Sequence, residues 1–215
     1  YDGEEVIKTS ERDLIADLNT LPFPKHEIFL WEGKTTANLL TSRGCPFKCN
    51  FCVLDHMSLR KVRYRTPEDV ADEVEKILEM CPTINTIWLH DDAFMINKQY
   101  TMDMCDEIIK RGIKTTFTCS ARFRPVSREL VKKMELAGFT HVLFGLESGA
   151  DEVMKGMRKG INKDHIRYKK CKIIIIYIMM ILELLKFIRE QKSIQSQNPK
   201  DLRYRVMGHL MMIIG

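Results

Sequence analysis

The sequence lacks the features that mark a secreted or membrane-spanning protein. Residues 1–5 are polar and acidic and show no signal-peptide pattern. The apolar run Ile173–Leu185 is about 13 residues long, shorter than the roughly 20 that span a bilayer. We therefore expect a buried strand or core helix there, and a cytoplasmic protein with no membrane span. An initiator Met is also missing, so we expect the chain to be a fragment of a longer protein.

A disulfide pattern is missing as well. The seven cysteines are an odd number, and three of them, Cys45, Cys49 and Cys52, lie close together in the sequence. Such clustering points to a bound metal rather than to a secreted disulfide framework. The net charge of +5 is a modest excess, and one basic stretch, 60–65, is more simply a solvated face than a nucleic-acid surface. We expect no nucleic-acid partner.

What the sequence does contain is a regular alternation of strand and helix signals. Caps at Thr66 and Ser127 and stops at Gly112 and Gly138 bound three of the predicted helices. The predicted strands are 37–42, 86–91, 114–120 and 141–146, and the predicted helices begin after Thr66, at Tyr100, after Ser127 and at Ala150. This order predicts an α/β fold with parallel strands and outer helices, a partial (β/α) barrel.

Polar residues lie at the end of each predicted strand or directly after it. They are the cysteine loop and the segments 90–92, 120–122 and 147–149. In parallel α/β folds the ligand lies at the carboxyl ends of the strands. We therefore expect these four segments to converge on one site.

The cysteine loop has the pattern C-x3-C-x2-C at Cys45, Cys49 and Cys52. Three thiolates can hold three irons of a cubane cluster and leave the fourth iron open to another ligand. A structural metal site normally has a fourth protein ligand, and His56 could supply it. A zinc site of the Cys3His type, in a non-catalytic binding module, is therefore the alternative.

With Phe51 before its last cysteine, this loop resembles the signature loop of the radical S-adenosylmethionine (SAM) superfamily, and the resemblance covers residues 37–165. It implies a 4Fe–4S cluster on Cys45, Cys49 and Cys52, with SAM chelated at the open iron and Phe51 beside the cofactor. It also implies that SAM is cleaved reductively to a 5′-deoxyadenosyl radical, which abstracts hydrogen from a small-molecule substrate. An electron donor such as flavodoxin or ferredoxin would be the partner.

The same resemblance assigns a role to the residues that follow the second predicted strand. Asp91 and Asp92 lie where the family contacts the amino group of SAM, and carboxylates at a strand end suit an ammonium group. Acidic residues are also common at helix starts. A helix cap is therefore the alternative role for this pair, and one loop can serve both.

The third and fourth strand ends complete the expected cofactor site. Arg122 could bind the SAM carboxylate through two hydrogen bonds, with Arg124 as a competitor for that role. Glu147 and Ser148 lie in a Gly-x-Glu-Ser-Gly segment that resembles one common in the superfamily. The resemblance implies that they contact the ribose hydroxyls or the amine of SAM, and the alternative is a plain turn before a helix.

Two features favour the cobalamin-binding branch of the superfamily. The Asp-Asp-x-Phe segment at 91–94 resembles that branch, and the Leu-Pro-Phe-Pro segment at 21–24 resembles the connector that follows its cobalamin-binding domain. This implies methyl transfer, with cobalamin bound through a domain upstream of the given sequence. The alternative is a methylthiotransferase, which shares the cysteine loop.

We accordingly divide the chain into three parts. Residues 1–36 are a predicted connector, 37–165 the radical SAM core, and 166–215 an Ile-, Lys- and Met-rich segment that we interpret as a degraded or frame-shifted end of the barrel. Only four of the six strands of the family barrel are recognisable. We therefore expect the chain alone to bind a cluster poorly and to turn over slowly or not at all.

Overall fold

A computed structural model describes residues 9–30, 33–124, 126–145, 147–148 and 150–161. Its strands are β1 (Thr36–Leu39), β2 (Ser42–Arg43), β3 (Arg63–Tyr64), β4 (Thr86–Leu89), β5 (Thr116–Ala121) and β6 (Phe139–Phe144). Its α-helices are α1 (Leu54–Ser58), α2 (Pro67–Met80), α3 (Lys98–Arg111), α4 (Arg128–Leu136) and α5 (Asp151–Gly156). Short 3-10 helices lie at Leu18–Thr20, His26–Ile28 and Phe94–Ile96.

Four of the strands form a parallel sheet in the order β1-β4-β5-β6. Each neighbour in the sheet is the next long strand along the chain, with a helix in between, as repeated βαβ units require. The remaining strands, β2 and β3, pair antiparallel beside the cysteine loop. The predicted α/β architecture is confirmed.

The helix boundaries follow local capping. Thr66 accepts a hydrogen bond from the Asp69 backbone N–H, and Pro67 occupies the first turn of α2, as predicted. Gly112 ends α3 with a φ of 65°. That helix begins two residues before the predicted Tyr100, because the side chain of Asn97 accepts the Tyr100 N–H at 3.1 Å and caps it.

The strand boundaries differ more from the predictions. The single strand predicted over 37–42 is divided, since β1 ends at Leu39 and β2 begins at Ser42. β6 begins at Phe139, two residues before the predicted start. Just before β6, Gly138 closely approaches the residue before β5, since an added Cβ would lie 2.6 Å from the carbonyl oxygen of Thr115. The predicted strand or helix in 173–185, and the rest of 166–215, lie outside the described residues.

The core is built on alternate strand positions. Ala37, Ile87 and Phe117 are almost fully buried, and the ring of Phe117 stacks on that of Phe139 at 5.2 Å between centroids. The intervening positions face the other side of the sheet, which carries the cleft described below. None of the described helices is long and apolar enough to cross a membrane.

A buried ionic network fastens residues 9–30 to α2. His26 Nε2 lies 2.6 Å from Oε1 of Glu73, and the other oxygen of Glu73 accepts from Arg65. Arg65 also donates to Asp69 at 2.6 Å and to the Leu40 carbonyl oxygen at 2.9 Å. Glu73 is 1% exposed, so the guanidinium of Arg65 and the hydrogen bond with His26 stabilise its carboxylate there.

We predict that Glu73→Ala lowers the free energy of unfolding by about 3–5 kcal/mol, because it leaves the mostly buried Arg65 with Asp69 as its remaining acidic partner and removes the partner of the buried His26. Urea unfolding followed by circular dichroism measures this loss. Glu79→Ala, an exposed position on the same helix, serves as the matched control and should change stability by less than about 0.5 kcal/mol. Equal losses in the two variants would show that the network contributes nothing.

Candidate functional site

Cys45, Cys49 and Cys52 lie between β2 and α1 and line one cleft of about 320 Å³. Cys45 and Cys49 are buried, and Cys52 is partly exposed. Burial raises the pKa of the Cys45 thiol, whereas the backbone N–H of Phe47 and the guanidinium of Arg122 act in the opposite direction. A cleft of this volume is within the range of small-molecule sites.

Gly44 determines how the cysteine loop leaves β2. Its φ is 98°, and an added Cβ would lie 2.1 Å from the carbonyl oxygen of Lys61. Next to it, the Cys45 N–H donates to Ser58 Oγ of α1 at 3.4 Å. The loop therefore lies closely against the turn that follows α1, at a distance that only glycine permits.

Of the two acidic residues after β4, Asp91 lies beneath the cleft and Asp92 faces it. The carboxylate of Asp91 accepts from the Thr41 backbone N–H at 2.7 Å, from the Thr41 hydroxyl, and from Ser42 Oγ at 2.7 Å. Burial raises the pKa of Asp91, and these hydrogen bonds oppose the rise. Asp92 lines the cleft and accepts the Gly44 N–H at 2.9 Å.

Neither acidic residue is the N-cap of α3, since Asn97 has that role. Asp92 alone is therefore placed to meet a ligand in the cleft. The contacts of Asp91 are instead to the chain between β1 and β2, and they explain why the predicted strand over 37–42 is divided.

Arg122 follows β5 and points into the cleft. Its Nη1 lies 3.4 Å from Cys49 Sγ, its guanidinium carbon lies 3.7 Å from the ring centroid of Phe47, and its Nη2 donates to the carbonyl oxygen of Lys159. The competing Arg124 is exposed and does not line the cleft. The sequence did not decide which of the two arginines faces the cofactor. The structure places Arg122 in the cleft and Arg124 outside it.

Glu147 and Ser148, which follow β6, have different surroundings. Glu147 lines the cleft with a φ of 59°, and its Oε1 lies 2.6 Å from Lys159 Nζ. Ser148 Oγ accepts the Ala150 N–H at 3.1 Å, in the turn before α5, and does not line the cleft. The plain-turn alternative therefore describes Ser148, whereas Glu147 is available to a ligand.

Sequence reasoning did not identify Lys159 and Trp88. Lys159 is 6% exposed and lines the cleft, but it lies in a turn after α5 that carries no recognisable motif. Trp88 lies on β4 and stacks on His90 at 4.9 Å, and its buried Nε1 has no hydrogen-bond partner among the described residues. Strand alternation, which places every second residue of β4 on the cleft side, could have indicated Trp88.

The position of His56 does not favour the Cys3His zinc site. The His56 side chain is 83% exposed beside Asp55 and does not line the cleft. Within the described part of the chain, no three His, Cys, Asp or Glu side chains gather around one ion position. A cubane cluster binds each cysteine through a different iron, so it needs thiolates that share a cleft without meeting at one point. Phe51 lines the same cleft.

A family model describing the radical SAM superfamily matches residues 39–183, more than half of the chain. The chain belongs to the radical SAM superfamily. The match includes the cysteine loop and every residue of the cleft, and it extends into the segment 166–215. The predicted resemblance to the radical SAM superfamily is thereby confirmed.

Two relatives extend the comparison. Over 155 residues the chain is 30% identical to an uncharacterized methyltransferase of Pyrococcus horikoshii, covering 70% of this chain and 34% of that protein. Over 181 residues it is 31% identical to an anaerobic magnesium-protoporphyrin IX monomethyl ester cyclase of Cereibacter sphaeroides, covering 77% and 29%. The chain therefore spans about a third of the length of these relatives.

Among solved structures, the chain resembles the cobalamin-dependent SAM radical enzyme OxsB, solved with aqua-cobalamin and SAM bound. The TM-score is 0.52 at 25% identity, covering 60% of this chain and 20% of that one. The predicted partial barrel and the predicted resemblance to the cobalamin-dependent branch of radical SAM proteins are both confirmed by this likeness.

We predict that Gly44→Ala destabilises the chain more than Gly33→Ala. Both glycines have a positive φ, which costs an alanine about 1–2 kcal/mol. Only Gly44 faces a backbone oxygen, and displacing it should cost a further 1–3 kcal/mol, approximately as overpacking does. Urea unfolding of both variants measures the difference, and an equal loss would refute the close approach.

We also predict that thiol reactivity separates Cys52 of the cysteine loop from the core cysteines Cys105 and Cys119. Burial raises the pKa of Cys105 to about 12 and that of Cys119 well above its usual value, so little thiolate forms at pH 8. Iodoacetamide should modify Cys52 in the folded, cluster-free chain but reach Cys105 and Cys119 only in urea. Peptide mass spectrometry measures each site, and equal rates in the folded chain would contradict the prediction.

Proposed function

We propose that this chain is the radical SAM core of a cobalamin-dependent methyltransferase, with a 4Fe–4S cluster on Cys45, Cys49 and Cys52 and SAM in the adjoining cleft. The observation that carries this proposal is the meeting of four strand ends in one cleft. The cysteine loop supplies the thiolates, and the other ends supply both a cation and carboxylates. That donor set suits a cluster with an open iron and a zwitterionic ligand.

The charges of the cleft match the amino acid end of SAM. Arg122 retains N–H groups beyond those it gives to Lys159 and Cys49, and a guanidinium binds a carboxylate well. Asp92 and Glu147 offer carboxylate oxygens to an ammonium or to hydroxyl groups. These three residues therefore orient SAM, while Asp91 and Ser148 support the walls around it.

When bound, the cluster supplies the electron that cleaves SAM to methionine and the 5′-deoxyadenosyl radical. The chain's own residues bind SAM, orient it and exclude water from the cleft. Phe51 and Trp88 give the cleft apolar walls, and water exclusion protects a reactive intermediate from side reactions. An external donor such as flavodoxin or ferredoxin would deliver the electron, in a cytoplasmic setting.

Methyl transfer is supported by the relatives and by the two sequence segments of the cobalamin branch. One relative is a methyltransferase, and OxsB is cobalamin-dependent. Cobalamin would reach this core through a domain upstream of the predicted connector, residues 1–36. The alternative, a methylthiotransferase, has the cysteine loop in its favour but neither of these similarities.

Iron analysis tests the cluster directly. The chain, reconstituted anaerobically with iron and sulfide, should be brown and hold about four irons. Cys49→Ala should lose the colour and most of the iron because one ligand is gone. Cys105→Ala removes a buried thiol from α3 without touching the cleft and should keep both.

His56→Ala distinguishes the zinc alternative. We expect no loss of iron, because this side chain points to solvent. A colourless protein with one zinc that depends on His56 would overturn the proposed function.

A further inference from the structure

The turn that follows α5 lies against the cysteine loop. The Asn50 backbone N–H donates to the carbonyl oxygen of Met157 at 3.0 Å, and the Asn50 side chain donates to that of Gly156 at 2.8 Å. These contacts join segments more than 100 positions apart in the chain. They place the next residues of the turn, including Lys159, at the mouth of the cleft.

Lys159 contacts two of the three side chains that we assign to SAM, Arg122 and Glu147. Its ammonium lies 2.6 Å from Glu147 Oε1, and its backbone carbonyl oxygen accepts from Arg122. The ammonium also lies 5.7 Å from the ring centroid of Phe51. One residue therefore contacts three of the elements that form the cleft.

The ion pair of Lys159 with Glu147 occupies a space that the backbone leaves open. At Gly145, the residue after β6, an added Cβ would lie 2.8 Å from Glu147 Oε1 and 2.8 Å from Lys159 Nζ. The pair thus packs directly against the glycine. The backbone at Gly145 therefore limits where the two charged groups can lie.

Without this pair, Glu147 would have little reason to remain in the cleft. Its side chain is 35% exposed, whereas that of Lys159 is 7% exposed. A free carboxylate at such a position gains more from rotating towards water, because solvation favours the charged group. A carboxylate accepts about four hydrogen bonds, so the bond to Lys159 leaves acceptor sites for a ligand.

We propose that Lys159 is a positioning residue that orients Glu147 through its ammonium and Arg122 through its carbonyl group, so that both face SAM. The inference rests on the proposed function of the cleft. Its two parts are separable, since any residue at position 159 keeps the carbonyl group. A side-chain substitution therefore affects SAM binding through Glu147 alone.

The test is a double-mutant cycle on the full reconstituted chain. Lys159→Met keeps the apolar stem over Phe51 and removes the charge. The Kd for radiolabelled SAM, measured by anaerobic equilibrium dialysis, should rise about tenfold, as the loss of one charge-assisted hydrogen bond implies. Glu147→Gln should give a similar rise, and the double variant should bind SAM no more weakly than either single variant.

Further variants separate positioning from general stability. Lys159→Arg keeps the charge and should remain within about threefold of the wild-type Kd. Lys155→Met, an exposed position on α5, should leave the Kd and the iron content unchanged. Should Lys159→Met lose iron, Lys159→Gln replaces it in the cycle, with the same non-additive result expected.

The outcomes distinguish this inference from the function on which it rests. If the wild-type chain holds iron and binds SAM while Lys159→Met binds SAM equally well, the positioning role is wrong and the function stands. Additive effects of the two substitutions would equally overturn it, because Lys159 would then not act through Glu147. If the wild-type chain holds no cluster and binds no SAM, the proposed function itself fails.

Discussion

The rest of the site depends on the carboxylate of Asp91, which joins the end of β4 to the start of the cysteine loop. It binds Thr41 and Ser42, while the neighbouring Asp92 binds the Gly44 N–H. Beyond β2 the loop forms no strand with the described residues, so these hydrogen bonds help to determine where it leaves the sheet. They direct the cysteines towards the ends of β5 and β6.

The parallel sheet brings the remaining residues of the site to the cysteine loop. Consecutive strands end at one edge, so the residues that follow β4, β5 and β6 reach the same cleft although they are distant in sequence. The cations Arg122 and Lys159 alternate there with the carboxylates of Asp92 and Glu147. A cleft with both signs of charge suits a zwitterion better than a simple anion.

Backbone strain is concentrated around this cleft. Among the described residues other than glycine, the positive φ angles are those of Leu59, Arg60, Glu147 and Arg158. The first two lie in the turn that packs against Gly44. Of the other two, Glu147 is a member of the ion pair with Lys159, and Arg158 directly precedes Lys159. Such conformations persist where surrounding contacts determine them, and functional sites are where they commonly occur.

The sequence by itself determined the cysteine spacing, the alternation of strands and helices, and the caps at Thr66 and Ser127, because each of these signals acts within a few residues. Only the tertiary structure decided that Asp92 rather than Asp91, and Arg122 rather than Arg124, faces the cleft. The direction of such side chains depends on where the chain turns, and distant contacts control that turn. Lys159 shows this most clearly, since its partners lie on other elements and no local pattern marks it.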